Sequence, residues 1–164
     1  YYSVSAPLAL ELPLGPKERG VLLHRCFELL ERGREGSVLL PMAFPGVLTP
    51  EQVDAVIEAQ WAFEKWLKQN LAPVSLRREV PVLGLDDRGS VVSGVIDLLV
   101  ETAEGYWVLD YKSDQVDDLD LRFAYYQPQL ECYAALLRKA CPHKPVLGIA
   151  IYWITSGKFS SLEI

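Results

Sequence analysis

From Gly94 to Asp114 the chain reads GVIDLLVETAEGYWVLDYKSD, two runs rich in Val, Ile and aromatic residues around the short turn TAEG. No other stretch constrains the fold as strongly. Such runs predict strands, and so short a turn predicts an antiparallel hairpin, with Gly105 expected to supply a positive φ. Pairing about the centre of the turn sets Asp97 opposite Asp110 to within about a residue, and alternation puts Lys112 on the face of Asp110. Like charges directly opposite one another destabilise a sheet, and apolar runs do not keep charges without compensation. Three arrangements relieve the pair: a shared proton, a bridging cation, or exposure at a sheet end. A divalent cation with oxygen ligands, Mg²⁺ or Mn²⁺, suits two carboxylates, and the Tyr111 backbone carbonyl offers a further oxygen. An ammonium beside such a site can position a water or stabilise charge on a phosphoryl oxygen. A plain Asp–Lys pair on a solvated edge would carry the same residues.

The rest of the chain supplies helices before the hairpin and a helix and strand after it. Residues 1–15 are Pro-rich and read as an irregular lead-in. Residues 16–33 read as a helix, with Pro16 in its first turn, an apolar stripe of Leu23, Cys26, Phe27 and Leu30, and Gly33 as its stop. A Pro/Gly-punctuated loop is expected through Gly46. Residues 49–70 read as a second helix, with Thr49 as N-cap, Pro50 at N1, Gln52 at N3, and Val53, Val56, Ile57, Phe63 and Leu67 as its apolar face. Strands follow at 75–85, where Pro81 implies an edge or bulge, at 90–101 and at 106–113. A third helix over 120–140 is expected to be broken or kinked at Pro128. The apolar run 144–155 reads as a central strand, and 158–164 as the start of another. The fold class is α/β, with a small mixed sheet flanked by helices in the order ααβββαβ.

Length and composition fit one domain, with half the residues hydrophobic and no apolar run long enough for a membrane span. The N-terminus lacks the basic and apolar regions of a signal peptide. It begins without Met and mid-phrase, so the chain is expected to be a fragment of a longer one. Cys26, Cys132 and Cys141 have no CxxC spacing, which speaks against a disulfide framework or an iron–sulfur site and for a reducing, cytoplasmic compartment. A net charge of −6, taken alone, argues against a nucleic-acid binder, although carboxylates that hold a metal count fully in that sum.

Other polar residues stand near the apolar runs. His24 lies beside the stripe of the first helix, and Gly20, one turn earlier, is expected to open space near its ring. Gln129 and Tyr133, four apart, share a face of the third helix. Glu79 is a charge inside the strand segment EVPV, on what an exposed edge face would explain.

These segments resemble, in order, four motifs of the PD-(D/E)xK nuclease superfamily, and in particular the RecB-like nuclease domains at the C-termini of RecB and AddA helicase–nuclease subunits. RGVLLHRCFE is similar to the N-terminal helix motif, GVID to G-x-I-D, LDYKS to D-x-K, and QLECY to the Q-hydrophobic-x-x-Y motif. The resemblance spans residues 20–133. It implies a restriction-endonuclease-like core and a metal-dependent deoxyribonuclease that hydrolyses phosphodiester bonds. It assigns His24, Asp97, Asp110 and the Tyr111 carbonyl as ligands of Mg²⁺ or Mn²⁺, Lys112 with Asp97 and Asp110 as catalytic residues, and Gln129 and Tyr133 as supporting residues at the DNA. Ile96 stands where the superfamily name has Pro, as is common in the RecB-like branch. The four cysteines of the related iron–sulfur nucleases are absent, so no cluster is expected, and no Walker motif is present. The partners implied are DNA, as a single-stranded end delivered by a helicase, and a helicase domain in the same chain or in a partner subunit, with no membrane. The role implied is the exonuclease of an ATP-dependent helicase–nuclease in double-strand-break repair and recombination. A motor that delivers the strand would offset the acidic charge, and Arg77, Arg78, Lys112, Arg138 and Lys139 are the basic groups available to face DNA. The alternatives are a stand-alone RecB-like nuclease and a degenerate nuclease fold that binds DNA or protein without cleaving.

Overall fold

The computed structural model describes residues 1–30 and 35–164. Its elements are β1 (Tyr2–Ser3), α1 (Pro16–Leu30), α2 (Gly36–Ala43), α3 (Pro50–Asn70), β2 (Ser75–Leu85), β3 (Val91–Glu101), β4 (Tyr106–Lys112), α4 (Leu119–Ala140), β5 (Val146–Trp153) and β6 (Lys158–Glu163). The strands form one sheet in the order β1-β6-β5-β4-β3-β2. β4 and β5 run parallel, joined by α4 as a crossover, and the other neighbours are antiparallel. This is the mixed α/β architecture expected of a restriction-endonuclease-like core.

The sheet separates two apolar layers. On one face α1, α2 and α3 pack against Leu98, Val100, Leu109, Tyr111, Ala150 and Tyr152. On the other, α4 packs against Ile96, Leu99, Val108, Ile149, Ile151 and Trp153. β4 and β5 are thus buried on both faces and read as continuous apolar runs. Alternation is strict along β4; β5 has a register shift at its start, so that Val146 and Ile149 share the α4 face, and β2 and β3 slip by one residue. Leu98 faces the α1 layer, yet Ile96, two residues away, faces α4. On β2, Leu76 lies against the α1 layer while Val80 and Val82 lie against α4. The slip falls between the rungs Arg78↔Leu98 and Val80↔Ile96. Glu79 there has φ 51°, a left-handed conformation unusual for a non-glycine residue. Asp97 stands across from it.

The helical stripes lie where the periodicity puts them. Leu23, Cys26, Phe27 and Leu30 are buried in α1, and α3 opens with the expected capping box, the Gln52 N–H donating to Thr49 Oγ1 at 3.2 Å. β2 is an edge strand, which accommodates Pro81. β5 lies inside the sheet and β6 extends it.

Four expectations change. The segment read as a loop through Gly46 contains α2, because fully buried Leu40 draws the turn around Pro41 into the α1 layer. Gly33, the expected stop of the first helix, lies outside the described residues. The lead-in is irregular over 4–15 as expected, but it opens with a short strand, Tyr2 and Ser3 pairing with β6, and it buries Leu8, Leu10 and Leu12. α4 runs through Pro128 without a break; Pro128 and Ala124, whose carbonyl loses its helical donor, both face solvent. Gly105 has no positive φ. A Cβ there would meet the Pro145 carbonyl oxygen at 2.5 Å, so it is close approach that demands glycine.

Candidate active site

β4 ends in Leu109, Asp110, Tyr111 and Lys112, and everything in the candidate site is arranged about this end, at the C-terminal edge of the parallel pair. The β3–β4 ladder stops at Leu98↔Leu109. One more rung would set Asp97 opposite Asp110, as the sequence register requires. In place of that rung the Asp97 side chain pairs with the strand: Tyr111 N–H donates to Asp97 Oδ2 at 2.8 Å. Asp97 occupies the slip in β3, so its carboxylate meets the end of β4. By alternation Asp110 and Lys112 face α4 while the Tyr111 ring enters the α1 layer against Phe27 and Phe63.

α1 supplies the third side chain. His24 Nε2 lies 2.6 Å from the Tyr111 carbonyl oxygen, placing the proton on Nε2 as donor, and Nδ1 lies 3.8 Å from Asp97 Oδ2. Gly20 makes this approach possible. A Cβ there would stand 2.8 Å from Ser113 Oγ, so the glycine clears room for the chain leaving β4, where the sequence suggested room beside the imidazole. Beyond it opens a cavity of about 570 Å³, lined by Lys17, Gly20, His24, Arg25, Lys112 and Asp114.

Electrostatics mark the pair of aspartates as strained. Burial, then the hydrogen bond and charge of Asp110, hold the Asp97 carboxyl well above the usual carboxylate range; Lys112 opposes this and Glu79 adds to it. The neutral acid, sharing a proton with Asp110, is one of the three reliefs the sequence left open. Burial lowers the pKa of His24, against the attraction of Asp110. Asp110 is 7 % exposed. Its Oδ2 lies against the Lys112 ammonium as an ion pair but in no hydrogen-bond geometry, leaving a buried oxygen without a hydrogen bond.

Such a donor set suits a hard divalent cation: two carboxylates, one with an unbonded oxygen, a backbone carbonyl and an imidazole. Among the described residues no three His, Cys, Asp or Glu side chains are gathered in a geometry that would hold a metal ion. Lys112 lies on the Asp110 oxygen, and the imidazole N–H lies on the Tyr111 carbonyl.

Gln129 and Tyr133 sit one layer out. Gln129 Nε2 donates to the Tyr133 hydroxyl at 2.9 Å, and the Tyr133 ring packs over Gly94, where a Cβ would come within 2.3 Å of that hydroxyl. The glycine of GVID therefore makes room for the tyrosine of QLECY. Among the described residues no hydrogen bond ties this pair to Asp97, Asp110 or Lys112. Of the basic groups, Arg77 pairs with Glu101, Arg78 with Glu64 and Lys139 with Asp87.

Sequence reasoning missed Tyr126. The Lys112 ammonium stands 4.6 Å from the centre of its ring. The signal available was the helical spacing of Tyr126, Gln129 and Tyr133 on one face of α4. Glu79, read as an edge charge, is exposed but close enough for its charge to act on both Asp97 and His24.

No curated protein matches the chain. Among solved structures, it is similar to that of SSO0001, with 19% identity, TM-score 0.42 and coverage of 92% of this chain and 78% of that one. It is also similar to a protein from Eubacterium rectale described as a candidate exonuclease, with 14% identity, TM-score 0.51 and 95% of this chain covered. The chain spans 61% of the length of that second protein, and the likeness is one of fold. Residues 4–161, nearly the whole chain, match the PD-(D/E)XK nuclease superfamily, and the chain belongs to that family.

Proposed function

We propose that the chain is a divalent-metal-dependent deoxyribonuclease of the RecB-like branch, acting as an exonuclease on a single-stranded end that a helicase delivers, in double-strand-break repair. The observation that carries this reading is the convergence of three elements on the end of β4: His24 from α1, Asp97 from β3, and Asp110, Lys112 and the Tyr111 carbonyl from β4 itself. Membership of a nuclease superfamily supports phosphodiester hydrolysis as the reaction class.

His24, Asp97, Asp110 and the Tyr111 carbonyl would hold Mg²⁺ or Mn²⁺. When bound, such a cation supplies Lewis-acid activation of water and of a phosphoryl oxygen. The protein's own part follows from its geometry. Asp97, bonded to the Tyr111 N–H, fixes the end of β4 and so the carbonyl beside it. His24 closes the site from the α1 side and borders the cavity where a strand could enter. Lys112 would offer an ammonium to stabilise charge developing on the phosphate or to orient the attacking water. Gln129 and Tyr133 support the α4 side near Gly94. A helicase domain, in the same longer chain or in a partner, would raise the local strand concentration and offset the net charge of −6.

The test is cleavage of a single-stranded oligonucleotide in Mn²⁺ by wild type and Lys112→Ala. Loss of cleavage with an unchanged melting temperature is expected; wild-type cleavage by the variant would sink the proposal. The second reading is a degenerate nuclease fold that binds DNA or protein without cleaving. Mn²⁺ titration decides: no rise in melting temperature for wild type supports the binding module.

A further inference from the structure

Tyr126 lies on α4, one turn before Gln129, with its ring turned to the end of β4. The Lys112 ammonium, 4.6 Å from the ring centre, is within the range where an aromatic face attracts a cation. The other end of the ring is clamped. Its hydroxyl donates to Asp114 Oδ2 at 2.8 Å. Arg122 Nε donates to the same oxygen at 2.6 Å, and Arg122 Nη2 donates to the Tyr126 hydroxyl at 3.1 Å. The Arg122 guanidinium also lies 5.0 Å from the Tyr126 ring centre. Asp114 is two residues beyond Lys112, so the network ties the chain leaving β4 to the start of α4. Burial, then the bond to Asp114, push the Tyr126 hydroxyl up to about 12, which keeps the phenol neutral and donating.

We propose that Tyr126, fixed by Asp114 and Arg122, is a positioning residue for Lys112, holding its ammonium in place when Asp110 is engaged elsewhere. The inference rests on the reading of Lys112 as catalytic. Lys112 has two neighbours that attract it, the Asp110 carboxylate and the Tyr126 face. A carboxylate that ligates a cation has less charge to offer an ammonium. A lysine stem has four rotatable bonds and no preferred geometry of its own. The aromatic face is the contact that survives the change, because a π-system attracts the ammonium without competing for a hard cation's oxygen ligands.

Two readouts test it. The first is acylation of Lys112 by an amine-reactive reagent in saturating Mn²⁺, where Asp110 is engaged, followed by mass spectrometry of the peptide that contains it. The second is steady-state cleavage of single-stranded DNA in Mn²⁺. Tyr126→Leu is expected to raise Lys112 labelling several-fold and to lower kcat roughly tenfold, with KM changed by less than about threefold. Tyr126→Phe keeps the ring and loses its clamp, so an intermediate kcat is expected. Arg122→Gln, which loosens the clamp from the other side, gives the same intermediate result and serves if the Leu variant fails to fold. Unchanged labelling in every variant overturns the proposal. So does a loss of kcat without a change in labelling, which would assign Tyr126 to the DNA. Wild-type cleavage by Lys112→Ala would instead overturn the catalytic reading of the lysine, and the proposal with it.

Discussion

Asp97→Asn should abolish the fall of stability with pH in the metal-free protein. The native state holds Asp97 protonated far above 3.8, the value an unperturbed carboxyl has in the unfolded chain. Above that value the folded protein therefore binds one proton that the unfolded chain does not. Stability is full below the unfolded value and falls as pH rises toward the folded one, by up to about 1.4 kcal/mol per pH unit. His24 acts with the opposite sign, because its folded value is lowered from 6.5. Its contribution is complete once pH exceeds that figure, so a window from about pH 7 to pH 8.5 isolates the aspartate. Over that window the loss amounts to about 2 kcal/mol, and at this chain length about 1 kcal/mol shifts the midpoint by roughly 2–4 °C. Wild type in EDTA should lose about 4–8 °C across the window by differential scanning fluorimetry. Asp97→Asn removes the titration but keeps an oxygen to accept the Tyr111 N–H. Its midpoint should stay level across the window and exceed that of wild type at the upper end. Saturating Mn²⁺ should flatten the wild-type curve and raise it, since a ligand that binds only the native state stabilises by mass action, and should leave the variant nearly unmoved. A wild-type curve already flat in EDTA, or an equal slope in the variant, would refute the buried proton.

Gly94→Ala should push the Tyr133 ring off β3 and cost about 1–3 kcal/mol; a thermal melt reads the loss, and Tyr133→Leu in the same chain should recover part of it. Cys26 is fully buried with its thiol pushed up to about 12, so alkylation in native buffer should label Cys132 and Cys141 while Cys26 reacts only after unfolding, as peptide mass spectrometry would show. Phe63→Ala removes a ring stacked 4.2 Å from that of Tyr152 at the centre of the α1 layer and should cost about 3–5 kcal/mol, measured by denaturant titration.

The sequence carried the hairpin register because a period of two and a short turn leave little freedom: Asp97 and Asp110 had to meet near the ends of their strands. It carried the helices of the α1 layer for the same kind of reason, since Leu23, Cys26, Phe27 and Leu30 fit a single stripe. What it hid has physical causes. The slip at Asp97 leaves no trace in composition, because β3 is apolar on both sides of it and both faces of the sheet are covered. α2 was obscured by Pro41 and the flanking glycines, and only the burial of Leu40 decides for a helix. Tyr111 was available as a backbone oxygen, but that an imidazole would reach it from α1 depends on how closely the helix approaches, and that approach is set by Gly20 against Ser113. The place of Tyr126 needed the crossover of α4 to be known first.

The slip in β2 and β3 also bears on how the protein acquires its candidate site. His24 reaches the end of β4 from the α1 layer, whereas Tyr126 reaches Lys112 from the α4 layer on the opposite side of the sheet. A chain with only one layer docked has half the constellation and nothing to align it. Nuclease competence, on this arrangement, would be the last property to emerge during folding and the first to vanish when either side loosens, so that a half-built molecule is harmless to the nucleic acid around it.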